Sequence, residues 1–94
     1  MNFALSPAAG RDFDRLYNFL LKENPPAAAR AVRTIWAAIR ELRRFPRRGR
    51  LLPDGNRELI IRFGRSGYIA QYLYLPEQNK VVVLRIWHSR EDRA

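Results

Sequence analysis

The chain has 94 residues, no cysteine, and 18 Lys and Arg against 9 Asp and Glu, a formal net charge of +9. This length allows one modest core, so we expect a single domain over residues 1–94. Without cysteine there are no disulfides or thiolate metal sites. No apolar run is long enough to span a membrane, and the first residues do not resemble a signal peptide, so a cytoplasmic protein is expected.

The positive charge is carried almost entirely by arginine, since 16 of the 18 basic residues are Arg. A small domain this basic is expected to meet a polyanion or an acidic protein partner. The planar guanidinium binds phosphate or carboxylate with two hydrogen bonds, which favours such a role. A coding bias that replaces surface Lys by Arg is the alternative reading of the Arg preference.

The first half of the chain predicts a short strand and two helices. Residues 2–5 can form a strand, and Ser6-Pro7 has the N-cap and first-turn residues of a helix that ends near Asn24. A second helix is predicted from the Pro25-Pro26 pair. Its apolar positions have helical spacing and place Trp36 in the core: Val32, Ile35, Trp36, Ile39 and Leu42. Helices joined by so short a link form an antiparallel hairpin.

The stretch from Phe45 to Asn56 is predicted to be a loop, because it is rich in Pro and Gly. Five arginines within eight positions make its start the most cationic part of the chain: Arg43, Arg44, Arg47, Arg48 and Arg50. A solvated basic loop is the simplest explanation. Clustering of this density favours an anion-binding role.

Three segments rich in β-branched and aromatic residues follow, from Arg57 to His88, separated by Gly- and Pro-containing turns. Short connections between successive strands favour an antiparallel sheet. Alternation predicts that Val82, Leu84 and Ile86 face the helices. It leaves Arg62, Arg85 and Trp87 on the open face. Some of the tyrosines Tyr68, Tyr72 and Tyr74 are plausible beside them.

His88 is the single histidine and closes the last strand. Histidine can act as a general base near neutral pH, so metal-free RNA cleavage assisted by arginines is one enzymatic possibility. A structural role is the alternative. No phosphate-binding, dinucleotide-binding or serine-nucleophile motif is present. Neither a metal nor a cofactor is expected.

The order of elements resembles the RelE/ParE superfamily of bacterial toxins. The resemblance rests on the segments SPAA, FPRRGR, RELIIRFG, GYIAQYLY and VVVLRIWHSRED, and it covers nearly the whole chain. It implies an α+β fold of order β-α-α-β-β-β, with the two-helix hairpin on one face of an antiparallel sheet. It also implies a toxin of a type II toxin–antitoxin pair, neutralised by a cognate antitoxin that the charge predicts to be acidic.

The superfamily has two branches. RelE-like members cut mRNA on the ribosome, and the resemblance would then make His88, Arg62 and Arg85 catalytic. ParE-like members inhibit DNA gyrase. No Tyr follows Tyr74, and the RIWHSRED ending is similar to ParE-like toxins, so gyrase inhibition is favoured and the ribosome with mRNA is the alternative target. A basic nucleic-acid-binding module is a further alternative. The predicted target- or polyanion-binding residues are Arg43, Arg44, Arg47, Arg48, Arg50, Arg62, Arg65, Arg85, Trp87 and Tyr72.

Overall fold

Two helices and a five-stranded sheet make up the computed structural model, which describes residues 1–91. The strands are β1 (Asn2–Leu5), β2 (Arg50–Leu51), β3 (Arg57–Phe63), β4 (Ser66–Leu75) and β5 (Lys80–His88), and the helices are α1 (Pro7–Glu23) and α2 (Pro25–Glu41). The predicted α+β fold and its element order are confirmed, with the two-residue β2 as an addition inside the predicted loop.

The helix boundaries follow from capping. The Ser6 hydroxyl accepts a hydrogen bond from the Ala9 N–H at 3.0 Å, and Pro7 occupies the first helical position. Asn24 serves both helices: its N–H donates to the Leu20 carbonyl at 2.7 Å, and its side chain accepts from the Ala27 N–H at 3.2 Å. One residue therefore ends α1 and begins α2, which makes the hairpin tight.

The sheet has the strand order β1-β5-β4-β3-β2 and is mixed rather than wholly antiparallel. The strands β2 to β5 pair antiparallel, but β1 pairs parallel with β5, from Asn2 opposite Lys80 to Leu5 opposite Val83. Short turns impose antiparallel pairing only between consecutive strands. Because nearly the whole chain separates β1 from β5, no turn constrains their direction.

A β-bulge in β5 changes which of its residues face the helices. Tyr72 lies opposite Val83 and Gln71 lies opposite Arg85, so Leu84 is the extra residue. The core therefore contains Val81, Val83 and Ile86, while Val82 and Leu84 are half-buried outside it. The prediction that Val82 and Leu84 face the helices was wrong, because the bulge breaks the period of two that the prediction assumed.

The three tyrosines of β4 also lie on the helix side. Tyr68 and Tyr72 belong to the core cluster and Tyr74 packs against it, so none occupies the open face. Trp36, predicted to be core, is only half-buried. Its ring stacks on that of Phe13, with the ring centres 5.1 Å apart, and lies tilted against that of Phe3, with the centres 6.1 Å apart. Within residues 1–91 no helix is both long and apolar enough to cross a membrane.

Candidate functional site

The edge of β5 beyond β1 is covered by side chains instead of a strand. Because β1 pairs only as far as Val83, the backbone groups of the following residues need other partners. The Ser6 hydroxyl donates to the Leu84 carbonyl at 2.7 Å. The Ile86 N–H donates to Asp12 and the His88 N–H donates to Glu91, at 2.8 and 2.7 Å. This edge is thus closed to strand addition by another chain.

Asp12 is the centre of that edge and is only 4% exposed. Its carboxylate accepts two hydrogen bonds from the Arg85 guanidinium, at 2.8 and 3.2 Å, and one from Arg15 at 3.3 Å. Burial alone would raise the pKa of the Asp12 carboxyl, but the hydrogen bonds from Arg85, the Ile86 N–H and Arg15 outweigh burial and lower it. Asp12 in turn raises the pKa of Arg85. The two charges stabilise the fold together.

His88 is held at both ring nitrogens. Its Nε2 lies 3.1 Å from the Ser66 hydroxyl oxygen, and its Nδ1 accepts a hydrogen bond from the Arg90 N–H at 3.1 Å. An Nδ1 that accepts from a backbone N–H carries no proton, so the neutral ring has its proton on Nε2. The Tyr68 ring meets the imidazole edge-on at 5.3 Å. These contacts fix the orientation of the ring and occupy its lone pair.

A cavity of about 610 Å³ lies beside His88. It is lined by Arg15, Leu16, Phe19, Leu20, Tyr68, His88, Arg90 and Glu91. Arg15 pairs with Glu91 at its rim, and burial together with the Glu91 charge raises the pKa of Tyr68. The Phe19 side chain is 62% exposed. The wall of this cavity is mostly apolar, unlike a site built to hold phosphates.

The structure does not bring the three predicted catalytic residues onto one face of the sheet. His88 lies opposite Tyr68, in the row that faces the helices. Arg62 follows the core residue Ile61 and is exposed on the other face. Arg85 lies opposite Gln71, also in a row of that other face, and its guanidinium reaches Asp12 at the β5 edge.

A second basic region, residues 43–50, connects α2 to β2, and we call it the arginine strap. The Tyr72 hydroxyl donates to the Pro46 carbonyl at 2.7 Å and accepts from the Gly49 N–H at 2.8 Å. Arg57 donates to the carbonyls of Gly49 at 2.8 Å and Arg47 at 3.3 Å. A Cβ on Gly49 would lie 2.6 Å from the Tyr72 ring, so only glycine fits there. The strap therefore has a fixed backbone.

Aromatic rings hold three of the strap guanidiniums in place. Arg44 and Arg48 lie 5.4 and 5.3 Å from the centre of the Phe45 ring, and Arg47 lies 5.1 Å from that of Tyr74. Two acids approach the strap. Arg50 pairs with the buried Glu58 at 3.1 Å, whereas Arg48 meets Glu41 at 3.5 Å with both side chains about half exposed.

Two predicted target-binding residues are not available on the surface. Tyr72 is fully buried because its hydroxyl anchors the strap, and burial raises its pKa. Trp87 is 9% exposed and lies opposite Ile69, on the face away from the helices. By contrast Arg62, Arg65 and the strap residue Arg43 are exposed. The prediction of a surface role was wrong for Tyr72, and little of the Trp87 side chain is accessible.

Sequence reasoning missed Asp12 and Gly49 as structural determinants. Asp12 precedes the buried Leu16 by four residues, so helical spacing alone places its carboxylate on the inner face of α1. A carboxylate at such a position needs a cationic partner. Gly49 stands between Arg48 and Arg50, and nothing in that pattern indicates the tyrosine ring that lies against it.

Comparisons with known proteins point to one family. Two curated relatives come from Caulobacter vibrioides: toxin RelE1 is 42% identical over 89 residues, covering 95% of this chain and 94% of the relative. Toxin RelE3 is 39% identical over 89 residues, covering 95% of each chain.

Two solved structures share the fold. A chain from the chromosomal ParDE toxin–antitoxin system of P. aeruginosa superposes with a TM-score of 0.76 at 22% identity, over 94% of this chain and 95% of that one. A chain of the RelBE2 toxin–antitoxin complex of Mycobacterium tuberculosis superposes with a TM-score of 0.62 at 26% identity, over 96% of this chain and 92% of that one. The model of the ParE toxins of type II toxin–antitoxin systems, parDE, matches residues 3–93, and the chain therefore belongs to this family of the RelE/ParE superfamily.

Proposed function

We propose that this type II toxin arrests growth by binding DNA gyrase and does not cleave mRNA. The observation that carries the proposal is that His88 lies in the row that faces the helices, whereas Arg62 lies on the other face and the Arg85 guanidinium is bound to Asp12 at the β5 edge. General acid–base cleavage of RNA needs a base and cationic groups that converge on one phosphodiester.

The hydrogen bonds of His88 support the same proposal. A general base needs a lone pair that can reach the proton it removes. In the neutral ring that lone pair is on Nδ1, which accepts from the Arg90 N–H, while Nε2 is directed to Ser66. His88 therefore acts as a structural residue that joins the ends of β4 and β5.

Arg85 supports the proposal through its pairing. Its Nε and one terminal nitrogen donate to Asp12, so the guanidinium is held against a buried carboxylate within the fold. Arg62, near the end of β3, and Arg65, in the turn before β4, are both exposed. We assign gyrase contacts to Arg62 and Arg65.

We further propose that a cognate antitoxin docks over the helix hairpin. The similar solved structures belong to toxin–antitoxin systems. A groove of about 530 Å³ runs between α1, α2 and the end of β1, and its lining is mainly apolar: Leu5, Gly10, Phe13, Asp14, Tyr17, Val32 and Trp36. Apolar surface at the centre and charge around it are typical of a protein interface. The net charge of +9 favours an acidic antitoxin.

Salt dependence tests the charge of that partner. Complementary charge mainly raises the association rate, so association is expected to slow steeply between about 50 and 500 mM salt in stopped-flow measurements. A rate constant that does not change with salt would contradict electrostatic attraction between toxin and antitoxin.

Ribosome-dependent cleavage of mRNA is the second candidate, because two relatives carry the RelE name. The test is induced expression without antitoxin, with transcript integrity and gyrase–DNA cleavage complexes measured in parallel. His88→Gln is expected to remain toxic, whereas the pair Arg62→Ala and Arg65→Ala loses toxicity with unchanged folding. Arg11→Ala, at an exposed position of α1, is the matched control. Broken transcripts that become intact in His88→Gln would overturn the gyrase proposal.

A further inference from the structure

We propose that the outer face of α2 and the arginine strap together form a binding site for duplex DNA, which contacts phosphates without reading sequence. We call this surface the arginine ridge, and it consists of Arg30, Arg33, Arg40, Arg44, Arg47 and Arg48, all exposed. Binding to DNA is a separate property from the proposed action on gyrase and does not depend on it.

The helical part of the ridge is straight and narrow. At 3.6 residues per turn, Arg30, Arg33 and Arg40 fall within an arc of about 80° and extend over about 15 Å of α2. The residues four positions before and after Arg33 on the helix surface, Ala29 and Ala37, are exposed alanines. Because these neighbours of Arg33 are small, a phosphate backbone can approach this part of the helix closely.

The charge of the ridge is hardly compensated. Glu41 is the one acidic residue between Pro25 and Arg50. It reaches Arg48 at 3.5 Å, but both side chains are about half exposed, and such surface pairs contribute little. In double-stranded DNA the phosphates carry about one charge per 1.7 Å of helix axis, so charge complementarity is strong over this length.

The strap presents its guanidiniums in a restrained arrangement. Tyr72 fixes the backbone through Pro46 and Gly49, and the rings of Phe45 and Tyr74 restrain Arg44, Arg47 and Arg48. Restraint before binding lowers the entropy lost when an arginine binds a phosphate. A solvated basic loop would lack these contacts.

The composition of the ridge favours DNA over a protein partner and a duplex over a single strand. A protein interface has an apolar centre, which this chain offers in the groove around Phe13 and Trp36 and not on the ridge. Single-strand binding depends on bases that stack on aromatic faces. The rings beside the strap, Phe45 and Tyr74, are already in contact with guanidiniums.

Fluorescence anisotropy with a labelled duplex of about 20 base pairs tests the proposal across about 50 to 200 mM salt. The purified full chain is expected to bind with an affinity that falls steeply with salt. The triple variant Arg33→Gln, Arg40→Gln and Arg44→Gln should bind about tenfold or more weakly, and its slope of log K against log salt should be shallower by about 2.7. The pair Arg47→Gln and Arg48→Gln, located in the strap, is expected to reduce the slope by about 1.8.

The control removes three positive charges elsewhere: Arg11→Gln, Lys22→Gln and Lys80→Gln. It should retain the affinity of the wild type to within about threefold, because these three residues lie outside the ridge and are not expected to contact phosphates.

An equal loss of affinity in the control and in both ridge variants would overturn the ridge as the site. Absence of duplex binding at the lowest salt would overturn DNA binding itself. Tighter binding to single-stranded DNA, duplex RNA or polyglutamate would reassign the ligand. None of these measurements involves gyrase, so they leave the proposed target untouched.

Discussion

Both the β5 edge and the arginine ridge contain arginines, but their surroundings differ: one arginine is paired with a buried carboxylate and the others face solvent. Arg85 donates two hydrogen bonds to Asp12, an almost fully buried carboxylate that also accepts from the Ile86 N–H at the β5 edge. Arg33 and Arg40 lie on the solvent side of α2 among alanines. A guanidinium within reach of a buried carboxylate is thus used inside the fold, whereas those on the solvent side of α2 remain exposed.

Asp12→Ala should have the largest effect on stability. The change leaves the Ile86 N–H without its acceptor and Arg85 without its carboxylate, so we expect a loss of about 3 kcal/mol in the free energy of unfolding. Urea denaturation measures it. Asp14→Ala removes an exposed carboxylate two residues away and is expected to cost less than about 0.5 kcal/mol. Equal losses in the two variants would mean that the β5 edge does not depend on Asp12.

Tyr72→Phe should test whether the strap is restrained by its anchor. The variant keeps the buried ring but leaves the Gly49 N–H and the Pro46 carbonyl without the hydroxyl. We expect a loss of about 1 to 2 kcal/mol and faster hydrogen exchange at the Gly49 amide. Tyr74→Phe keeps the ring beside Arg47 and serves as the control. An unchanged exchange rate at Gly49 would show that the strap is held by other contacts.

Arg85→Gln and Arg40→Gln compare the two regions directly, since each removes one guanidinium. Arg85→Gln is expected to lower the free energy of unfolding by about 1 kcal/mol, because its partner is buried although its own side chain is half exposed. Arg40→Gln should stay within about 0.5 kcal/mol of the wild type. Thermal and urea denaturation measure both. A larger loss in Arg40→Gln than in Arg85→Gln would reverse the distinction drawn between the regions.

Acidification should destabilise the β5 edge by protonating Asp12. The pKa of its carboxyl is lowered in the folded chain relative to the ordinary value of 3.8. Its stabilising contribution is therefore complete above that value and is lost as the pH falls below it towards the lowered pKa. Asp12→Asn should lose less stability on acidification than the wild type, with Arg85→Gln between the two. Identical pH profiles for Asp12→Asn and the wild type would contradict this assignment.

Much of the fold could be predicted because its signals are local. Ser6-Pro7 and Asn24 mark the helix ends through capping, and the apolar spacing of Ile35 and Ile39 identifies the buried side of α2. The bulge at Leu84 could not be predicted in this way. It depends on how β4 and β5 pair, and one extra residue changes the face of every later position in the strand.

The candidate sites were predicted less completely, for a physical reason. The amino-acid sequence alone determined the net charge, the clustering of arginines in the strap and their helical stripe on α2, because these depend on composition and spacing. Only the tertiary structure decided which charges are neutralised. Asp12 and Arg85 are separated by 73 positions along the chain and meet because α1 packs beside β5. Tyr72 and Gly49 likewise meet only when the strap crosses the sheet, since buried polar groups find their partners through folding and not through proximity in sequence.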